Sequence, residues 1–161
     1  MKKLLFLLPL LFVAMQSCPQ DYKVIDSLQK LLLNGRAQDT NTVRLYLRLA
    51  SNYTWNNPDS AIYYDNQALL LSRRLHFIDG EFQALTLKPF ALAIARSDSA
   101  AVSCAYSAIK IAEDENNSDY LSNAYFTLGS VYIYIQEFNK GIMYHRKAFS
   151  YMNSKDSMLI N

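Results

Sequence analysis

The chain alternates between blocks in which apolar side chains return every three or four positions and short breaks rich in Asn, Asp and Ser. That period marks amphipathic helices; strands would show strict alternation. Seven blocks are predicted: 21–33, 40–55, 58–75, 80–95, 98–113, 119–135 and 138–152. The breaks carry the chemistry of helix ends. Asn34-Gly35 is a stop, because glycine takes the left-handed closing turn without steric cost. Asn57 can cap the third helix with Pro58 at its first position, where the missing N–H would have had no partner. Ser97 is a candidate N-cap, and Ser118 starts the sixth helix with Asp119 in the first turn, where the helix dipole favours an acid.

A longer period lies over the helical one. Ala61, Ala101 and Gly141 recur at one fixed interval, and Ala68, Ala108 and Ala148 keep the same interval, as do Tyr64, Cys104 and Tyr144. The preceding segments keep nearly the same step through Leu49-Ala50, Lys88-Pro89 and Leu128-Gly129. The repeat therefore pairs the helices into units at 40–75, 80–113 and 119–152, preceded by an N-terminal helix and linker over 18–39 and followed by a short tail over 153–161. Antiparallel helices approach to about 8–10 Å, and their closest point accepts only glycine or alanine. Gly129 and Gly141 each cost about 1 kcal/mol of helix propensity against alanine, so they are expected to face each other at such a point. Leu49 with Tyr53, and Leu128 with Tyr132, fill the space beside it. Pro89 falls inside the fourth helix, where it removes a hydrogen bond and either bends the helix or breaks it.

These residues resemble tetratricopeptide repeats, which pair two helices around an aromatic, a Leu-Gly, a tyrosine and spaced alanines. The third unit carries the likeness best, with Tyr125, Leu128-Gly129, Tyr132, Phe138, Gly141, Tyr144 and Ala148. The first gives Tyr46, Leu49-Ala50, Tyr53, Ala61, Tyr64 and Ala68, and the second is degenerate, with Lys88-Pro89 at the Leu-Gly position. The resemblance implies an all-α, right-handed superhelical solenoid of antiparallel helix pairs, about seven helices in all. The units run to about 40 residues where the family has about 34, and the surplus is expected in the loops between them. The lead-in, with NPDSAIYYDNQALLLSRRL, is similar to the exported N-terminal sensor regions of Bacteroidetes signalling proteins that carry such repeats.

The segment from Met1 to Ser17 stands outside this pattern. MKK followed by the apolar run LLFLLPLLFVAM is too short for a membrane span of about 20 residues and reads as an export signal. The following QSCPQ places Cys18 where a bacterial lipoprotein signal puts its lipid-bearing cysteine, with Ser17 fitting that pattern and Met15 and Gln16 departing from it. Ordinary cleavage near Ser17, or an uncleaved anchor, are the alternatives. The expected location is the bacterial cell envelope, as a membrane-anchored lipoprotein or otherwise periplasmic.

Removing that segment takes Lys2 and Lys3 out of a +2 chain and leaves 14 basic against 14 acidic residues, which gives no basic face for nucleic acid. Cys104 is left alone inside a helical pattern, so no disulfide framework is expected. His76 and His145 are far apart in sequence, no HExxH or CxxC is present, and the acidic run Glu113-Asp114-Glu115 falls at a helix end. No catalytic residue, metal site or cofactor is expected.

In a solenoid of helix pairs the first helix of each pair faces the concave side. The residues opposite the small anchors are Arg44, Leu47, Ser51 and Trp55, then Gln83, Thr86, Phe90 and Ile94, then Asn123, Phe126, Ser130, Ile133 and Tyr134. Of these, Trp55, Phe90, Asn123, Phe126, Ser130 and Tyr134 are the candidates to grip a protein or peptide, since aromatics beside amide groups suit a segment laid in a groove. The alternative function is the input fragment of a membrane signal-transduction protein without its output domain. The last helix keeps Ile142, Met143, Phe149 and Met152 with few residues after it, so an exposed apolar edge is expected there, closed by the tail, a partner or self-association.

Overall fold

The computed structural model describes residues 22–34 and 38–158, and the expected export signal and Cys18 lie outside the described residues. Seven helices follow one another: α1 Tyr22–Asn34, α2 Thr40–Tyr53, α3 Pro58–Leu75, α4 Ile78–Ile94, α5 Asp98–Asp114, α6 Ser118–Tyr134 and α7 Phe138–Met158. Their starts follow from local hydrogen bonding. The Asp39 carboxylate accepts the Thr42 N–H at 2.9 Å, and the Asn57 amide oxygen accepts that of Ser60 at 3.1 Å ahead of Pro58. Asn117, one position before the expected Ser118, caps α6 by accepting from Asp119 and Tyr120. Ser97 precedes α5 without a side-chain cap bond, and α7 continues past Met152 to Met158.

Four helix ends share one device. His76, Arg96, Asn116 and Gln136 have positive φ, between 46° and 67°, and they recur at a constant interval, half of the repeat. After each, the next N–H reaches back one position further than in an α-helix: Phe77 to Ser72, Ser97 to Leu92, Asn117 to Ala112 and Glu137 to Tyr132, at 2.8–3.1 Å. This is the Schellman closure, here made by four non-glycine residues. It turns the chain within a few positions, so the added length of each unit lies in the long helices α3 to α6 and not in the expected loops.

The pairs α2–α3, α4–α5 and α6–α7 stack in series, with α1 laid on α2. The backbones of α2, α4 and α6 lie side by side, whereas those of α3, α5 and α7 stand apart, so the first helices form the inner face. The architecture is an all-α solenoid, and its core runs along the pairs as a series of clusters. One gathers Phe82, Leu85, Ile109, Tyr125, Leu128 and Tyr132, and another Val43, Leu47, Ala68 and Leu71. Leu49 and Tyr53 share a third with Ile25 and Leu28 of α1. Tyrosines fill the wedges: the buried Tyr132 and Tyr125 alternate with the half-buried Tyr144 and Tyr151 in one stack, in the order Tyr132, Tyr144, Tyr125, Tyr151, with ring centroids 5.4–6.2 Å apart.

Gly129 and Gly141 do face each other. A methyl group built on Gly129 would overlap the His145 imidazole and stand 3.0 Å from the Gly141 carbonyl oxygen; one on Gly141 would overlap the Ile133 side chain and stand 3.0 Å from the Gly129 oxygen. Ala50, Ala61 and Ala101, in equivalent places, are wholly buried.

Helix α4 runs unbroken through the buried Pro89. Proline leaves the carbonyl of the preceding turn, that of Leu85, without its helical donor. The Cys104 thiol of α5 donates to that carbonyl, with sulfur and oxygen 3.8 Å apart. The degenerate second unit thus compensates for its proline with a cysteine at a position where the other units carry tyrosine.

Candidate functional site

On the inner face α4 and α6, joined by the end of α7, enclose a hollow of about 760 Å³. Its wall from α4 is Gln83, Thr86, Leu87 and Phe90; α6 adds Asn123, Phe126 and Thr127, and α7 adds Phe149 and Met152. Steps of three and four positions along α4 and α6 put these side chains on one stripe of each helix. A smaller hollow of about 350 Å³ lies between α2 and α4, lined by Arg44, Leu47, Arg48, Ser51, Gln83 and Leu87. Gln83 and Leu87 border both, so α4 is the ridge between two successive depressions.

The expected groove residues divide on this geometry. Phe90, Asn123 and Phe126 come together around the larger hollow, and Phe126 remains 55% exposed there. Trp55 is 67% exposed at the end of α2, and Tyr134 is 45% exposed at the end of α6; both stand outside the hollow. Ser130 turns towards α7, where its hydroxyl lies 3.2 Å from His145 Nε2. His145 also stacks on Phe126, with centroids 4.9 Å apart and planes at 4°, and so fixes the orientation of that ring. The imidazole lies directly over Gly129, between that helix backbone and the Phe126 ring it stacks on. Phe149 and Met152 were not expected in the groove because they belong to a second helix. Their signal was present in the apolar row of the last helix, which the sequence assigned to an edge.

The hollow has Thr86, Thr127 and Ala148 buried at its base, and its exposed lining mixes Phe126, Phe149 and Met152 with the amides of Gln83 and Asn123. The Gln83 amide is held by the Asp79 carboxylate at 2.9 Å, and the Ser122 hydroxyl donates to the Ala148 carbonyl at 3.1 Å, which ties α6 to α7 beside the opening. Among the described residues no group of three His, Cys, Asp or Glu side chains is gathered that could hold a metal ion, and no helix is long and apolar enough to cross a membrane.

One polar feature is buried elsewhere. Asp65 on α3 is wholly buried, and neither carboxylate oxygen has a hydrogen-bond partner among the described residues. Burial pushes its pKa up to about 8, opposed by the charge of Lys88, whose ammonium is engaged by Asn66 Oδ1 at 2.6 Å. Burial likewise pushes the Cys104 thiol up to about 11, which makes it a packed, protonated group at neutral pH.

No protein-family model and no curated protein matches the chain. Several solved structures are similar in fold, among them the following two. The apo form of RapI superposes with a TM-score of 0.66 at 12% identity over 82% of this chain, and the chain spans 38% of RapI. The TPR domain of Arabidopsis FLU superposes with a TM-score of 0.62 at 16% identity, over 71% of this chain and 98% of that domain. At such identities the likeness shows the fold, a tetratricopeptide-like solenoid.

Proposed function

We propose that this chain is an exported interaction module that binds a protein or peptide segment in the hollow between α4, α6 and α7. The observation that carries the reading is the convergence of Phe90, Phe126, Phe149 and Met152 around one open depression rimmed by Gln83 and Asn123. Exposed aromatics in a preformed concave site supply apolar anchoring, and the amides at its rim offer hydrogen bonds to a bound backbone. The partner is read as a segment carrying apolar side chains at regular spacing. Export to the cell envelope, with lipid attached at Cys18, belongs to the same proposal and rests on the leader residues alone.

The test is a photo-crosslinking residue placed at Asn123, which lines the hollow and is exposed. In envelope preparations the proposal expects one discrete adduct, lost when Phe90 and Phe126 are both changed to alanine. An adduct pattern unchanged by that double substitution would count against the groove. Mass spectrometry of the membrane fraction tests the anchor, because an unmodified mature N-terminus removes Cys18 from the account.

The second reading, an input fragment of a larger signalling chain, rests on the likeness of the lead-in NPDSAIYYDNQALLLSRRL to exported sensor regions. A reading frame that continues beyond Asn161 into further helix pairs and a membrane segment would favour it; a stop codon there would oppose it.

A further inference from the structure

The smaller hollow, between α2 and α4, differs from its neighbour in charge. Arg44 and Arg48 stand one turn apart on α2, both exposed, and both line it. Like charges four positions apart repel and weaken a helix, so the fold itself gains nothing from placing them together. Among the described residues neither guanidinium pairs with a carboxylate. The acids at the starts of the two helices are engaged elsewhere: Asp39 caps α2, Glu81 pairs with Arg73 at 2.7 Å, and Asp79 holds the Gln83 amide and the Tyr120 hydroxyl. Arg44 is nevertheless held in place. Its Nη1 donates to Asn41 Oδ1 at 3.2 Å, and its guanidinium lies over the Phe77 ring, 5.4 Å from the centroid. A guanidinium carries five N–H donors in a fixed fork, so donors remain for a ligand. Ser51 continues the same stripe of α2 and lines the same hollow.

The larger hollow has the opposite sign, since among the described residues its one charged lining group is Asp119. Gln83 and Leu87 border both hollows, so a segment that leaves one over α4 enters the other. We infer that the smaller hollow binds an acidic side chain, aspartate or glutamate, carried by the same extended segment whose apolar side chains fill the larger hollow. This rests on the function proposed above and adds to it the charge of the partner, the order of its side chains and their spacing.

Guanidinium and carboxylate match as planar groups that share two parallel N–H···O bonds, and a carboxylate between Arg44 and Arg48 also relieves their mutual repulsion. Asp119 disfavours an acid at the far side of α4. The segment therefore lies with its acid over α2 and its apolar anchors between α4 and α6. Neighbouring helices stand about 8–10 Å apart, and an extended chain advances about 3.3 Å per residue, which separates the acid from the first apolar anchor by about three residues.

The test is selection from a displayed library of random dodecapeptides on the full chain in mild detergent. The peptides are joined to their carrier at the C-terminus, which leaves no free terminal carboxylate. The expected result is enrichment of aspartate or glutamate about three positions from the nearer of two apolar residues. Selection on Arg44→Gln combined with Arg48→Gln keeps the apolar positions and loses the acid, and on Arg44→Glu combined with Arg48→Glu a lysine or arginine replaces it. Both arginines are exposed, so these variants keep the helical circular dichroism of the unaltered chain. Changing the acid of a selected peptide to its amide weakens binding to the unaltered chain by at least about tenfold, flattens its salt dependence, and leaves binding to the glutamine variant as it was. An acid that persists on the glutamine variant overturns the inference. Apolar positions enriched without an acid overturn it too and leave the groove standing. An acid that depends on the two arginines, enriched without apolar positions, supports this site and sinks the groove. Failure to enrich any sequence overturns both.

Discussion

Replacing Asp65 by asparagine should stabilise the protein at neutral and mildly basic pH and leave it almost unchanged near pH 4. The carboxyl is wholly buried, has no hydrogen-bond partner among the described residues, and has its pKa pushed up to about 8 from an ordinary value of 3.8. Between those two pH values the folded chain holds a proton that the unfolded chain has released. Stability is therefore greatest below about pH 4, falls by about 1.4 kcal/mol per pH unit as the pH rises, and levels off above pH 8. Over roughly four units the loss is about 5 kcal/mol, an upper limit because Lys88 lies near enough to answer the charge if it leaves Asn66. Asparagine has the same shape as the protonated acid and no charge to expel. Denaturant unfolding followed by circular dichroism, for both proteins from pH 4 to pH 9, gives a difference curve in which the other titrating groups cancel. The account expects that curve to rise from near zero to several kcal/mol, or about 10 °C in Tm for a chain of this size. Parallel curves across the whole range would refute it and would mean that water or a cation already satisfies the carboxylate.

Three further outcomes follow from the packing. Gly129→Ala forces a methyl group into the His145 ring and towards the Gly141 carbonyl, so it should cost about 1–3 kcal/mol despite the better helix propensity; thermal unfolding measures it. Gln136→Gly should do the reverse, because the left-handed closing turn penalises any side chain with a Cβ; a gain of about 1 kcal/mol is expected, seen as a higher Tm. The Cys104 thiol, with its pKa pushed up to about 11, should react with a disulfide reagent at pH 8 about a hundredfold more slowly than a free thiol, and at the ordinary rate once the chain is unfolded in denaturant.

How far the sequence reaches differs from element to element. The helix pairs were legible because the register of the repeat fixes size and polarity at each turn, and the meeting of Gly129 with Gly141 followed from size alone. The helix ends were half legible. Asn57-Pro58 announces itself, but His76, Arg96, Asn116 and Gln136 carry no glycine signal, so the halving of the repeat into equal steps, and the placement of the extra length in the helices, appear only in the backbone. Asp65 drew no attention because a carboxylate on an amphipathic helix normally points to water. Here it occupies the register of Ala105 and His145, where the next pair covers it. In the groove, the stripe rule located Phe90, Asn123 and Phe126, and it failed for Ser130, which the approach of α7 at Gly129 draws to His145. Phe149 and Met152 escaped because a second helix reaches the inner face where no further helix covers it.

The central claim is that recognition takes place in the hollow of α4, α6 and α7. The most direct measurement is the affinity, by calorimetry, of the partner segment identified through crosslinking at Asn123. Phe90→Ala with Phe126→Ala should weaken binding by at least about 30-fold, equivalent to roughly 2 kcal/mol, while Trp55→Ala, far out on the end of α2, leaves it unchanged. Undiminished binding by the double variant, or loss on changing Trp55 alone, would contradict the account.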